Sequence, residues 1–239
     1  MKAIMTAAAA ALLAASACAR ADIIISEIMW NPNGSEGGLQ EWIEITNTGS
    51  ATVDLNGWVY GDSQDGHYSN PFAAGTSLAA GGSAVIVGQS AAVFQSIWGA
   101  GVQVITYTGG PAEGISLANS ATATNETVAI FDASNNLVDD VNYESNISGW
   151  PATDGSNVNG QTIYLLPQAF TTTANNVGAN WAESVVGVHG AYTALINNPG
   201  IANATSPDVA SPGVAVFIPE PSAALLAAIA TLGLLRRKS

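Results

Sequence analysis

Short runs of apolar, β-branched residues alternate with turn residues along the central part of the chain. Residues 22–30 are almost entirely apolar and run into the turn sequence at 31–34. Residues 41–47 alternate, so that Trp42 and Ile43 fall on opposite faces. Period-two alternation bounded by Asn, Pro and Gly is typical of β-strands.

Further elements follow the same pattern. A strand region at 53–60 is interrupted by Asn56 and Gly57, which indicates a bulge or bend. Residues 84–88 form a fully apolar strand, and 90–98 is the one segment that favours a helix, with Ser90 as its N-cap.

The second half of the central region begins with a predicted hairpin. Its strands are 127–131 and 137–143, joined by the turn cluster 132–136. One more strand is expected at 163–166. Many short strands separated by turn clusters predict an all-β protein, either an antiparallel sandwich or a barrel.

Charge is distributed very unevenly. All five Lys and Arg residues lie in the two terminal segments, and all 18 acidic residues lie between Asp22 and Leu235. A body with no basic side chain cannot neutralise phosphates, so direct nucleic-acid binding and attraction to an anionic membrane are excluded. Apart from His67, His189 and a new amino terminus, no cation is present in the body to form a salt bridge.

Three motifs in order carry a family resemblance. They are Ile-Ser-Glu-Ile-Met-Trp-Asn-Pro at 25–32, Glu-Trp-Ile-Glu-Ile-Thr-Asn-Thr-Gly at 41–49 and Val-Asp-Leu-Asn-Gly-Trp at 53–58. Together they resemble the lamin tail domain in its bacterial secreted form. The resemblance implies an immunoglobulin-like antiparallel β-sandwich over 22–150 that usually serves as an interaction module. It does not imply an active site.

Two less regular segments follow this domain. Residues 151–196 are expected to be an irregular β extension of the same domain. Residues 197–216, rich in Pro, Asn, Ala and Ser, are expected to be a linker.

The amino terminus has the features of a secretory signal peptide over 1–21. A basic Lys2 precedes an apolar run, and Ala19 and Ala21 satisfy the small-x-small rule for signal peptidase. Cys18, the only cysteine, would leave with the signal peptide, so the mature body could form neither a disulfide nor a thiolate metal site.

The carboxyl terminus resembles a PEP-CTERM sorting signal over 217–239. Its parts, in order, are the triplet Pro219, Glu220 and Pro221, the apolar segment 222–235, and the basic stop Arg236, Arg237 and Lys238. The resemblance implies an exosortase-type protease as a partner and transient anchoring in the inner membrane. The alternative is a permanent anchor, although 14 residues span roughly 21 Å, less than the ~30 Å hydrocarbon core.

Candidate chemistry is sparse, and no catalytic residues are predicted. Two histidines and no mature cysteine cannot supply three protein ligands to zinc, and no Gly-x-Ser-x-Gly elbow is present. The turn acids Asp62 and Asp65, and the pair Asp139 and Asp140, are weak calcium candidates, because calcium prefers oxygen ligands. Solvated turn acids are the favoured interpretation, so no cofactor is expected.

The sequence therefore predicts an exported, non-enzymatic protein at the cell surface or in the extracellular matrix of a Gram-negative bacterium. Exopolysaccharide or other surface proteins are its expected partners. The alternatives are a calcium- or carbohydrate-binding module and, as a lesser one, a hydrolase that uses a carboxylate pair.

Overall fold

The structure is a computed structural model of the chain. It describes residues 23–34, 40–62, 67–107, 117, 126–143, 149–151 and 160–217, which fall within one compact unit, Ala21–Phe217. The predicted signal peptide and the predicted segment 218–239 lie outside the described residues. Among the described residues, no helix has the length and apolar character that a bilayer crossing requires.

Most of the regular secondary structure in the described residues is β-strand. In chain order the elements are β1 Ile23–Met29, β2 Trp42–Asn47, β3 Val53–Asp54, β4 Val59–Asp62, β5 His67–Tyr68, β6 Ser77–Leu78, β7 Ser83–Val87, helix α1 Ala91–Trp98, β8 Val104–Thr106, β9 Glu126–Phe131, β10 Leu137–Tyr143, β11 Ile163–Leu165, β12 Trp181–Glu183, β13 Tyr192–Thr193 and β14 Val209–Ala210.

Two larger sheets organise these strands. One has six strands in the order β12-β11-β1-β2-β7-β8, and the other has four in the order β10-β9-β4-β5. Antiparallel pairing prevails, and β8 joins β7 in parallel. The small pairs β3–β6 and β13–β14 complete the arrangement.

The two larger sheets share one apolar core, as in a β-sandwich. Both contribute fully buried side chains to it: Ile25, Ile43 and Ile86 from the six-stranded sheet, and Tyr60, Val128 and Val141 from the four-stranded sheet. Burial of β-branched and aromatic residues from facing sheets is the main stabilising contribution expected of such a fold.

A second core lies on the opposite face of the six-stranded sheet. Trp42, Val85 and Val87 point to this side and pack against α1 and the β13–β14 pair. As the sequence predicts, α1 begins after Ser90, whose hydroxyl accepts a hydrogen bond from the Val93 N–H at 3.3 Å. Since both faces of the central strands are covered, β1 and β2 are buried along their whole length.

Two local predictions are confirmed. The hairpin of β9 and β10 forms, and its turn places Asn135 at φ 63°, a left-handed conformation that Asn tolerates. The predicted break at Gly57 is also present, with φ 77° and the Ala133 side chain close by.

Beyond residue 160, the predicted strand at 163–166 is confirmed as β11, Ile163–Leu165. Strand β11 pairs with β1, and β12 pairs with β11, so this region completes the six-stranded sheet. The predicted linker at 197–216 is corrected, because it contains β14 and the buried residues Asp208 and Ser211. These polar residues resemble a linker in sequence, but hydrogen-bond partners from distant strands allow them to be buried.

Candidate functional site

Within the described residues, buried polar side chains are densest around a pair of buried carboxylates. Glu27 on β1 lies directly opposite Glu44 on β2 in the antiparallel ladder. Each side chain is 1% exposed. A register shift between Ile25 and Glu27 interrupts the ladder beside them, which is the geometry of a β-bulge and re-aims the side chains next to it.

Glu27 is held by hydroxyl and backbone donors. Its Oε1 accepts hydrogen bonds from the Ser211 N–H at 2.8 Å, the Ser184 hydroxyl at 3.4 Å and the Thr162 hydroxyl. Its Oε2 accepts from the Ser211 hydroxyl at 3.0 Å. All of these donors lie at least 135 residues along the chain from Glu27, so the side chain fastens the C-terminal region to β1.

Glu44 makes a similar connection. The Ser26 hydroxyl donates to its Oε1 at 3.0 Å, and the Gly213 N–H donates to its Oε2. A chain of hydroxyls continues from Ser26 through Thr46 to Ser83, with successive oxygens 2.8 Å apart. The backbone at 211–213 is therefore bound by both carboxylates.

Burial changes the acidity of the pair. Desolvation raises the pKa of Glu27 from 4.5 to about 7, although its hydrogen-bond donors oppose the shift. Burial, and then the charge of Glu27, raise the pKa of Glu44 well above its ordinary value. Because no Lys or Arg exists in the body to balance two charges, the pair retains a proton more readily than exposed carboxylates do.

The carboxylate pair borders a very small cavity. Its volume is about 10 Å³, and its walls include Tyr164, His189 and Val214. The His189 Nδ1 lies 3.0 Å from the Tyr164 hydroxyl. Such a volume holds about one water molecule. The arrangement can hold protons and bind backbone donors, but it has no room for a sugar or a peptide.

Asp139 on β10 connects the two sheets. Its Oδ2 accepts hydrogen bonds from the Ile25 N–H and from Asn175 Nδ2, both at 2.7 Å. The Trp181 indole N–H donates to the Asn175 carbonyl at 2.7 Å. Burial raises the pKa of Asp139 to about 7. The Oδ1 atoms of Asp139 and Asn175 are buried and have no hydrogen-bond partner in the structure.

Asp208 makes a third connection of this kind. Its Oδ1 accepts a hydrogen bond from the Asn33 N–H at 2.8 Å, and burial raises its pKa to about 6. Gly160 lies against this contact at φ 85°, where a Cβ would meet Asp208 Oδ1 at 2.7 Å. These four buried acids, Glu27, Glu44, Asp139 and Asp208, thus accept hydrogen bonds in place of salt bridges to Lys or Arg, which the body lacks.

Within the described residues, the calcium candidates do not form a common site. Asp62 lies at the end of β4, and Asp65 is outside the described residues. Asp139 and Asp140 are adjacent on β10, so their side chains point to opposite faces. No group of three His, Cys, Asp or Glu side chains suited to a metal ion occurs in the part of the chain that the structure describes. Calcium binding and carbohydrate binding stay predictions.

The predicted processing residues lie outside the described residues. They are Ala19, Ala21, Pro219, Glu220, Pro221, Arg236, Arg237 and Lys238. Glu27 is not evident as a buried site residue from the sequence, because an acid in a β-branched run also fits an exposed strand face. One feature of the sequence could have indicated that Glu27 is buried. It lies inside the apolar run Ile-Ile-Ile-Ser-Glu-Ile-Met, in a body without Lys or Arg.

Comparison with known proteins gives one match. A family model described as Lamin Tail Domain matches residues 16–145. Neither a curated protein nor a solved structure matches the chain. The matched range contains β1 to β10, and it ends before the residues that donate to Glu27.

Proposed function

The chain belongs to the lamin tail domain family, and from this premise we propose that it is an exported, non-enzymatic structural or interaction module. The family's domain is immunoglobulin-like and non-catalytic. The proposed place of action is the cell surface or extracellular matrix of a Gram-negative bacterium.

One structural observation supports a structural role over a catalytic one. The buried carboxylates Glu27 and Glu44 are occupied by hydrogen-bond donors from the same chain, and the cavity beside them measures about 10 Å³. A glycoside hydrolase needs its two carboxyl groups on either side of a bound sugar. Here the acids instead bind the C-terminal region of the described residues to the domain that the family model matches.

The sequence ends support export and sorting. Residues 1–21 have the pattern of a signal peptide, and 217–239 have that of a PEP-CTERM signal. In the proposal, signal peptidase removes the first segment and an exosortase-type protease processes the second. The acidic body is then released to exopolysaccharide or to other surface proteins.

Mass spectrometry of both termini tests the proposal. The full chain is expressed in a Gram-negative host with and without an exosortase-type protease. We expect a mature amino terminus at Asp22 in both hosts, and carboxyl-terminal processing near Pro219 in the host that has the protease.

A triple alanine variant of Pro219, Glu220 and Pro221 is the matched variant, and it should keep the tail while losing the amino-terminal segment. A protein recovered in the cytoplasmic fraction with Met1 intact contradicts export. Equal tail processing in both hosts contradicts sorting by the exosortase-type protease.

A further inference from the structure

Strand β8 forms one edge of the six-stranded sheet and pairs with β7 in parallel. The Val85 N–H donates to the Gln103 carbonyl at 2.9 Å, and the Tyr107 N–H donates to the Val87 carbonyl at 3.2 Å. Alternate residues of a strand direct both backbone groups to the same side. Gln103, Ile105 and Tyr107 therefore face β7, whereas Val104 and Thr106 direct their N–H and C=O groups away from the sheet.

This outward edge borders open space. A groove of about 430 Å³ separates β8 from the turn residues Ala73, Gly75 and Thr76. Among the described residues, those that line the groove carry no charge, and Thr106 is exposed. The outward backbone groups of Val104 and Thr106 form no hydrogen bond with any residue that the structure describes, so a further strand would satisfy them.

The residues of this edge lack the features that usually protect it. Natural proteins protect sheet edges with Lys, other charges, Pro, bulges or a covering segment. The sequence at 102–108, Val-Gln-Val-Ile-Thr-Tyr-Thr, contains no charge, no Pro and no Gly. By contrast, β12 at the opposite edge of the same sheet carries Glu183. At β10, an edge of the four-stranded sheet, Asn176 Oδ1 accepts a hydrogen bond from the Asn142 N–H at 3.1 Å.

The same sequence favours a particular partner. Uncharged, β-branched segments of six or seven residues pair well with copies of themselves. We propose that β8 is a homotypic interaction edge, at which a second copy of this chain adds its own β8 in antiparallel pairing and continues the six-stranded sheet. The pairing rests on the fold of the described residues and is independent of export.

The backbone directions restrict the register to pairings between outward-facing residues. In an antiparallel ladder, residues that exchange both hydrogen bonds must each direct N–H and C=O towards the partner strand. The register that pairs both outward residues of each copy places Val104 of one copy opposite Thr106 of the second copy, with Ile105 at the two-fold axis. A closed two-fold contact of this kind ends at a dimer. Because the chain carries a formal charge of −13, repulsion opposes the contact and added salt should strengthen it.

Light scattering and sedimentation of the full chain in mild detergent test the proposal. We expect a dimer whose dissociation constant falls as the salt concentration is raised. Thr106→Pro removes an outward N–H without breaking a bond to β7, and it should weaken the dimer about tenfold or more. Thr106→Asp should have a similar effect, because it places a like charge in each half of the contact.

Thr193→Asp is the matched control, since Thr193 is also an exposed strand threonine but lies on β13. It should leave dimerisation within about twofold of the unchanged chain. Residue-resolved amide exchange gives an independent readout. The N–H groups of Val104 and Thr106 should become protected as protein concentration increases, while exposed amides of β13 do not.

Several results would overturn the proposal. One is a monomer at every protein concentration and every salt concentration. The others are a dimer that both Thr106 variants leave unchanged, and a dimer that Thr193→Asp weakens as much as Thr106→Asp does. Should Thr106→Pro fail to fold, as judged by its thermal transition, Thr106→Asp and the amide exchange of the unchanged chain decide the matter.

Discussion

Neutralising Glu27 should make the protein more stable at alkaline pH. The substitution Glu27→Gln keeps the shape of the side chain and fits its surroundings. Oε1 would still accept from the Ser211 N–H, and the new amide would replace Oε2, whose partner is the Ser211 hydroxyl. A hydroxyl can accept as well as donate. Gln therefore reproduces the hydrogen bonds of a protonated Glu27.

The magnitude follows from the pKa of Glu27, which is raised from 4.5 to about 7. Between these values the folded state holds a proton that the unfolded state has lost, so the free energy of unfolding falls as pH rises through this window. At about 1.4 kcal/mol per pKa unit, ionisation of Glu27 costs the folded state roughly 3 kcal/mol. Asp139 and Asp208 change stability in the same direction, because their pKa values are raised to about 7 and about 6.

Urea unfolding followed by tryptophan fluorescence measures the effect, since Trp30, Trp42 and Trp181 are buried. The unchanged protein should lose roughly 3 kcal/mol or more between about pH 4.5 and about pH 8. Glu27→Gln should be similar near the lower pH and more stable by up to roughly 3 kcal/mol near the higher one.

Asp54→Asn is the control, because Asp54 is exposed, and a substitution at an exposed site should change the free energy of unfolding by less than about 0.5 kcal/mol. The reasoning is refuted if the unchanged protein is equally or more stable near pH 8, or if Glu27→Gln shows the same dependence on pH.

Three further substitutions test other contacts by the change in free energy of unfolding. Near pH 5, below the raised pKa of Asp139 of about 7, Asp139→Ala should cost about 2–4 kcal/mol, because it leaves the Ile25 N–H and the Asn175 amide buried without an acceptor. A loss below about 0.5 kcal/mol, as at an exposed site, would contradict this. Ser90→Ala should cost about 1 kcal/mol through loss of the α1 N-cap, and Ser90→Asp should restore most of it. Asn47→Ala should cost about 2–3 kcal/mol, since the buried Asn47 amide bonds the carbonyls of Ala51 and Leu78; a shift no larger than that of Asp54→Asn would show that these carbonyls find water instead.

Much of the strand content could be predicted from the sequence. The apolar run of β1, the alternation of β2 and the turn of the β9–β10 hairpin are local patterns, and local patterns survive in the fold. The N-cap at Ser90 and the bend at Gly57 are also confirmed, because both depend on the conformation of a few neighbouring residues.

The candidate site was less accessible to sequence reasoning. Glu27 and Glu44 are 17 residues apart in sequence, yet they face each other in one ladder. Their donors Ser211 and Gly213 lie in a segment that resembles a linker. Whether an acid on a strand is exposed or buried depends on what covers that face, and here the cover comes from residues far along the chain.

By itself, the sequence determined that the body has short strands, carries no Lys or Arg, and must be held together without salt bridges between those side chains and carboxylates. It also carried the motifs of the lamin tail domain. The tertiary structure alone decided that Glu27, Asp139 and Asp208 are buried, that residues 208–213 are bound to the sheet, and that the backbone of β8 is left open. The physical reason is that hydrogen bonding and burial are properties of the assembled neighbourhood, whereas charge and strand propensity belong to each residue and its immediate neighbours.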